Sequence, residues 1–166
     1  MNKHTVVALV QDQPGVLNRI VSLFRRRGYN IESLAVGHTE SEGISRLTLV
    51  VEAADVEQVV KQLYRLIDVL KVQDVTAEPT VQQELALVKI RATESNRSEV
   101  LKLVELSRGR VVDLADGSVI VEVTGTETEV DAFVALVRTY GIKELVRTGA
   151  VVMARGSGSI EEATKR

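Results

Sequence analysis

Gln11-Asp12-Gln13-Pro14-Gly15-Val16-Leu17 lies between a valine-rich run and a helical pattern, and Gly28-Tyr29-Asn30-Ile31 closes that pattern; the reading of the chain turns on these two stretches. Pro14 has its φ preset for a first helical turn and lacks an N–H that would have no partner there, while Asp12 or Gln13 is placed to cap. Gly15 brings the backbone close to whatever docks. Amides at the positive end of a helix suit a small anion such as a carboxylate. An ordinary helix start has the same look, so the rest of the chain must decide between a cap and a binding loop.

Working outward, residues 5–10 form a nearly continuous apolar run that suits a strand buried on both faces. Leu17, Ile20, Val21 and Phe24 follow at helical spacing, with Gly28 as the left-handed stop and Arg25-Arg26-Arg27 near the negative end. Residues 31–36 and 44–51 read as strands joined by the hairpin-like His38-Thr39-Glu40-Ser41-Glu42-Gly43. Asp55 with Gln58 opens a second helix carrying Val56, Val59, Val60, Leu63 and Ile67, and residues 69–75 close the unit as a strand. The order is β-α-β-β-α-β, whose natural solution is a four-stranded antiparallel sheet covered by helices on one face.

The pattern then repeats. Residues 84–93 read as a strand, Asn96 with Glu99 caps a helix carrying Val100, Leu101 and Val104, and 111–114 pairs with 119–123 across Asp116-Gly117. Thr126 with Glu129 opens a fourth helix ending at Gly141, and 142–153 is the last extended segment. The expected fold is α+β: two tandem ferredoxin-like βαββαβ domains, residues 1–79 and 80–155, divided near Glu78-Pro79-Thr80, with a fraying tail at 156–166. A sheet with one bare face and open edges has apolar area to hide, which predicts a homodimer.

Composition narrows the function classes. The 166 residues are 45% hydrophobic, enough to fill one sizeable core or two small ones. Lys and Arg total 21 against 23 for Asp and Glu, so no strong net field favours nucleic acid or anionic membrane. Without cysteine, disulfides, thiolate catalysis and Cys-ligated metals are excluded. The start Met1-Asn2-Lys3-His4 shows no cleavable signal pattern and no stretch is long enough to span a bilayer, so the expected location is cytoplasmic.

The run QDQPGVLNRIVSLFRRRGYNIESLAVGHTE resembles the N-terminal ACT domain of the small regulatory subunit of acetohydroxyacid synthase (acetolactate synthase). SRLTLVVE, QLYRLIDVLKVQDVT, ELALVKI, RGRVVDL and VEVTGTETEVDAFVALVRTYGIKELVRTGAVVMARG continue the resemblance over nearly the whole chain. D-x-P-G loops are shared by many ACT domains. RRRGYNIESL, ELALVKI and LVRTGAVVMARG together are specific to this subunit.

The resemblance implies a chain without chemistry of its own. Its partner would be a large catalytic subunit carrying thiamine diphosphate, Mg and FAD, which condenses two pyruvates, or pyruvate with 2-ketobutyrate, on the route to valine, leucine and isoleucine. The small subunit would raise that activity and confer feedback inhibition by valine or a related branched-chain amino acid. It also implies an effector site between two ACT domains of a dimer, which here falls on Asp12, Pro14, Gly15, Val16, Leu17, Asn30 and Ile31. The residues suit a zwitterion: the amides of Gly15, Val16 and Leu17 for its carboxylate, Asp12 or Asn30 for its ammonium. Asp12 as a helix cap and Asn30 as a turn residue are the structural alternatives.

The other candidates are weaker. His4 and His38 are the only histidines, with no second ligand at metal spacing, and His38 is expected to be solvated. No Ser-His-Asp set is legible. Base-stacking aromatics are too few for an RNA-recognition module. A stand-alone ACT-type amino-acid-binding regulator and an acylphosphatase-like enzyme stay as alternatives, the second opposed by the lack of an arginine between Asp12 and Gly15.

Overall fold

The computed structural model describes residues 2–160. The chain divides into two compact units, one made of residues up to Val81 together with those from Ala150 onward, the other of Gln82–Gly149. Each is a ferredoxin-like βαββαβ fold.

In the first unit β1 (Asn2–Gln11), α1 (Val16–Arg27), β2 (Asn30–His38), β3 (Ile44–Ala53), α2 (Val56–Leu63) and β4 (Val69–Asp74) follow in order. The sheet is antiparallel with the order β2-β3-β1-β4, which leaves β2 and β4 as its edges. Along β1, Val6, Ala8 and Val10 join Ile20, Phe24, Leu47, Leu49, Val59 and Leu63 in the main core. Val7 and Leu9 alternate onto the opposite face, where Val75, Ala150, Val152 and Ile160 meet them. That is why the run is apolar at every position rather than every second one.

The covering of this face corrects two expectations. The sheet does not have a bare face, and the last extended segment is not one strand of the second domain. It breaks at Thr148-Gly149-Ala150 into β8 (Ile142–Arg147) and β9 (Val151–Ala154), and after the break Ala150, Val152 and Ile160 pack on the face of the first sheet. Polar contacts fasten it there: the Arg46 guanidinium donates to the Val152 carbonyl at 2.8 Å and the Ala150 N–H to Ser33 Oγ at 2.9 Å. Burial under this segment pushes the Arg46 pKa down, against the opposing pull of Glu40. The tail expected to fray from 156 instead buries Ile160; residues 161–166 lie outside the described residues.

Helix ends explain the smaller departures. α1 buries Val16, Ile20, Leu23 and Phe24, so Leu17 and Val21, expected in the core stripe, are 42% and 40% exposed on its flank. Gly28 ends it in the left-handed region, with the Tyr29 N–H reaching back to the Phe24 carbonyl. Asp55 caps α2 through the Glu57 N–H, but that helix stops at Leu63, which leaves Ile67 exposed rather than in the stripe.

The second unit runs β5 (Thr80–Ala92), α3 (Arg97–Leu106), β6 (Arg110–Ala115), β7 (Gly117–Gly125), α4 (Glu127–Val137), a 3-10 turn over Arg138–Tyr140, and β8, with the antiparallel order β6-β7-β5-β8; off that path β9 pairs with β5. Its core gathers Val88, Ile90, Val100, Val121, Val130, Phe133 and Val137. Gly109 packs closely there: a Cβ would lie 3.1–3.2 Å from Val104, Val121 and Val123, so these side chains would have to shift to admit one. Thr126 and Glu129 form the reciprocal capping box. Asn96, by contrast, spends its side chain on the Thr93 N–H before α3 rather than on a helix amide.

Candidate functional site

The loop before α1 is held open by its own backbone. Gly15, not Asp12 or Gln13, is the N-cap, at φ +88° and with no side-chain cap bond, so Pro14 stands before the helix rather than in its first turn. A left-handed cap without a capping side chain leaves helix amides without acceptors. The N–H groups of Gly15, Leu17 and Asn18 make no hydrogen bond among the described residues, whereas that of Val16 is taken by the Gln13 carbonyl. The open N–H groups are therefore those of Gly15, Leu17 and Asn18, not the Gly15, Val16 and Leu17 expected. The Val16 side chain is in the core.

Arg19, one turn on, sits beside this cap. Its Nε donates to Asp68 Oδ2 at 2.7 Å, Asp68 is buried, and the Asp68 carbonyl accepts from the Gln11 N–H. The ion pair fixes the start of α1 against the end of β1, and a Cβ on Gly15 would stand 3.5 Å from Arg19 Nη1.

Freed from capping, the Asp12 carboxylate turns to the end of β2. Its Oδ2 lies 3.1 Å from His38 Nδ1, and its backbone N–H donates to the Gly43 carbonyl. His38 is thus exposed, as expected, yet engaged with a candidate site residue. No local pattern could have found this contact. It arises because β1 pairs with β3 and β3 with β2, which brings Gln11 opposite Ile44 and Ser45 opposite His38.

Asn30 stands at the other end of β2, opposite Glu52 on β3. Its amide donates to Glu32 at 2.7 Å and to Glu52 at 3.4 Å, with Lys3 paired to Glu32 at 3.2 Å. Ile31 packs on the core beneath the helices, so its side chain is spent on packing. From Asn30 to His38 is the whole of β2, about 26 Å at 3.3 Å per residue. Within one chain the structure therefore brings Asp12 and His38 together at one end of an edge strand, near the Gly15 cap, and leaves Asn30 at the other.

Chemically, the cap can seat an anion and Asp12 can attract a cation, while Leu17, Val21 and Val36 offer half-exposed apolar surface on α1 and β2. Among the described residues no group of three or more His, Cys, Asp or Glu could hold a metal ion, and no helix is long and apolar enough to cross a membrane.

Comparison with known proteins gives the arrangement a family. Residues 7–71 match the model of the AHAS small subunit-like ACT domain, and residues 83–156 match that of the small subunit of acetolactate synthase. The probable acetolactate synthase small subunit of Archaeoglobus fulgidus is 52% identical over 157 residues, which cover 93% of this chain and 98% of that one. The acetolactate synthase small subunit of Bacillus subtilis is 48% identical over 158 residues, covering 93% and 92%. The crystal structure of the small subunit from Thermotoga maritima superposes with a TM-score of 0.89 at 38% identity, over 95% of this chain and all of that one. With both halves matched and the spans nearly complete, this chain belongs to the family of acetolactate synthase small subunits.

Proposed function

We propose that this chain is a regulatory subunit that binds a thiamine-diphosphate-dependent acetolactate synthase catalytic subunit, raises its activity, and makes it sensitive to valine through a site shared by two copies of the first unit. The observation that carries the shared site is its division along an open edge. Asp12 and the Gly15 cap lie at one end of β2, Asn30 at the other, and β2 has a neighbour on one side only.

Antiparallel pairing of β2 with β2 of a second copy, about a two-fold axis near Leu34, carries Asn30 to the end of the partner's strand where Asp12 and His38 sit. It forms two equivalent sites and covers the edge. Pairing through β4 would leave Asn30 far from any Gly15 cap. In the β2 arrangement the effector carboxylate meets the Gly15, Leu17 and Asn18 amides, its ammonium meets Asp12 and the Asn30 side-chain oxygen, and the branched side chain meets Leu17, Val21 and Val36. The response requires valine to bind the inhibited and active assemblies unequally, since a ligand of equal affinity shifts no equilibrium.

Reconstitution tests the proposal. The chain alone forms no acetolactate; mixed with the catalytic subunit it raises the rate severalfold, and that rate falls on adding valine. A reconstituted complex whose rate ignores saturating valine, leucine and isoleucine contradicts the feedback role.

A further inference from the structure

We propose that His38 is a positioning residue for the effector's ammonium: it competes for the Asp12 carboxylate when protonated and so makes effector affinity rise with pH. The inference rests on the amino-acid site proposed above and adds to it a residue and a regulation.

Three observations lead there. Asp12 is not the helix cap, so its carboxylate has no structural duty at α1. It lies 3.1 Å from His38 Nδ1, with 44% of the Asp12 side chain and 83% of the His38 side chain exposed. In the single chain a contact so open to water adds little to folding, and each member can be reached by a solute. Finally, imidazole is the side chain whose charge changes between pH 5 and 8, a range in which an amino acid stays a zwitterion.

The other charged groups around the pair do not mimic this change. Glu40 and Glu42 lie in the β2–β3 turn, Glu40 facing Arg46, which is held by the Val152 carbonyl; Arg19 is committed to Asp68. Across the proposed edge the partner end brings Lys3, Glu32 and Glu52. These are carboxylates, a lysine and arginines, and the second histidine, His4, lies on β1 behind β3 rather than on the edge, so His38 is the imidazole beside Asp12. At low pH the imidazolium neutralises Asp12 and the ammonium is held less well. At high pH Asp12 keeps its full charge for the ligand.

Calorimetric titration of the full-length chain with valine at pH 6.0 and 8.0 tests this, using wild type, His38→Gln and Asp12→Asn. Wild type is expected to bind about two- to fivefold more tightly at the higher pH, the range open to an exposed charge pair. His38→Gln binds equally at both, near the tighter limit, and Asp12→Asn binds weakly at both. A merely structural His38 would change affinity without altering its pH profile. A pH dependence that survives in His38→Gln, or is missing from wild type, overturns the inference while leaving the amino-acid site in place. Wild type that binds none of the three branched-chain amino acids at either pH overturns the site, and the role of His38 with it.

Discussion

At the scale of single residues, the candidate site depends on what each side chain is free to do. Gly15 sits at φ +88°, where a side chain costs roughly 1–2 kcal/mol. Gly15→Asp also puts a carboxylate within reach of Arg19 Nη1, a contact that offsets part of the strain. The variant is therefore expected to fold, with a thermal midpoint a few degrees below wild type, yet to lose valine binding because its charge repels the ligand's carboxylate. Valine titration and thermal unfolding of the same sample check both halves. Among the described residues the exposed Asn30 amide is held by Glu32 and Glu52 alone, so Asn30→Ala leaves stability unchanged and weakens valine binding by about 1–3 kcal/mol. The residue types at these positions were legible in the sequence, because a glycine before a helix and an asparagine after a helix-ending glycine both stand out. Their employment was not. Whether Asp12 caps a helix or faces His38 depends on the φ of Gly15 and on strand register, and neither is written within a few residues of Asp12.

Elements were legible to the extent that their contacts are local or periodic. The Thr126–Glu129 box and the Asp116-Gly117 turn each fixed a boundary from nearby residues alone. The misplacement of Leu17 and Val21 has a simple cause: Val16 and Leu23 satisfy the same 3.6-residue period one step round the helix, and only the position of the sheet chooses between them. The capping box also yields a pH prediction for the second unit. Hydrogen bonds from the Thr126 backbone N–H, and then from its hydroxyl, hold the Glu129 carboxyl below its ordinary value of 4.5. The folded pKa being the lower one, the stabilisation is fully present above the ordinary value and disappears as pH falls through the folded one. Acid titration followed by unfolding measurements is expected to show a smaller pH-dependent loss in Glu129→Gln than in wild type. An unchanged slope would mean the box contributes nothing to acid stability.

On the scale of the whole molecule, the return of the chain after Gly149 is the feature local patterns could not reveal. Residues 150–160 contact a sheet whose strands lie some hundred positions earlier in sequence, and no periodicity links Val152 to Val7. Val152→Asp puts a charge among Val7, Leu9 and Val75 and is expected to cost roughly 3 kcal/mol or more of first-unit stability in denaturant unfolding. A fragment ending near residue 80 lacks that cover and exposes the same face, so it is expected to unfold, or to assemble beyond a dimer, where the full chain does not.

The central claim, that the effector site is assembled from two chains across the β2 edge, is tested most directly by mixing two defective variants. Gly15→Asp chains keep Asn30, and Asn30→Ala chains keep Gly15. A mixed dimer of the two then holds one site with both wild-type residues and one with neither. After unfolding and refolding together in equal amounts, the account predicts that tight valine binding returns at about one site per two dimers, as random pairing in a two-fold assembly requires, although each variant alone binds weakly or not at all. A mixture that binds valine no better than its parents would contradict the shared site.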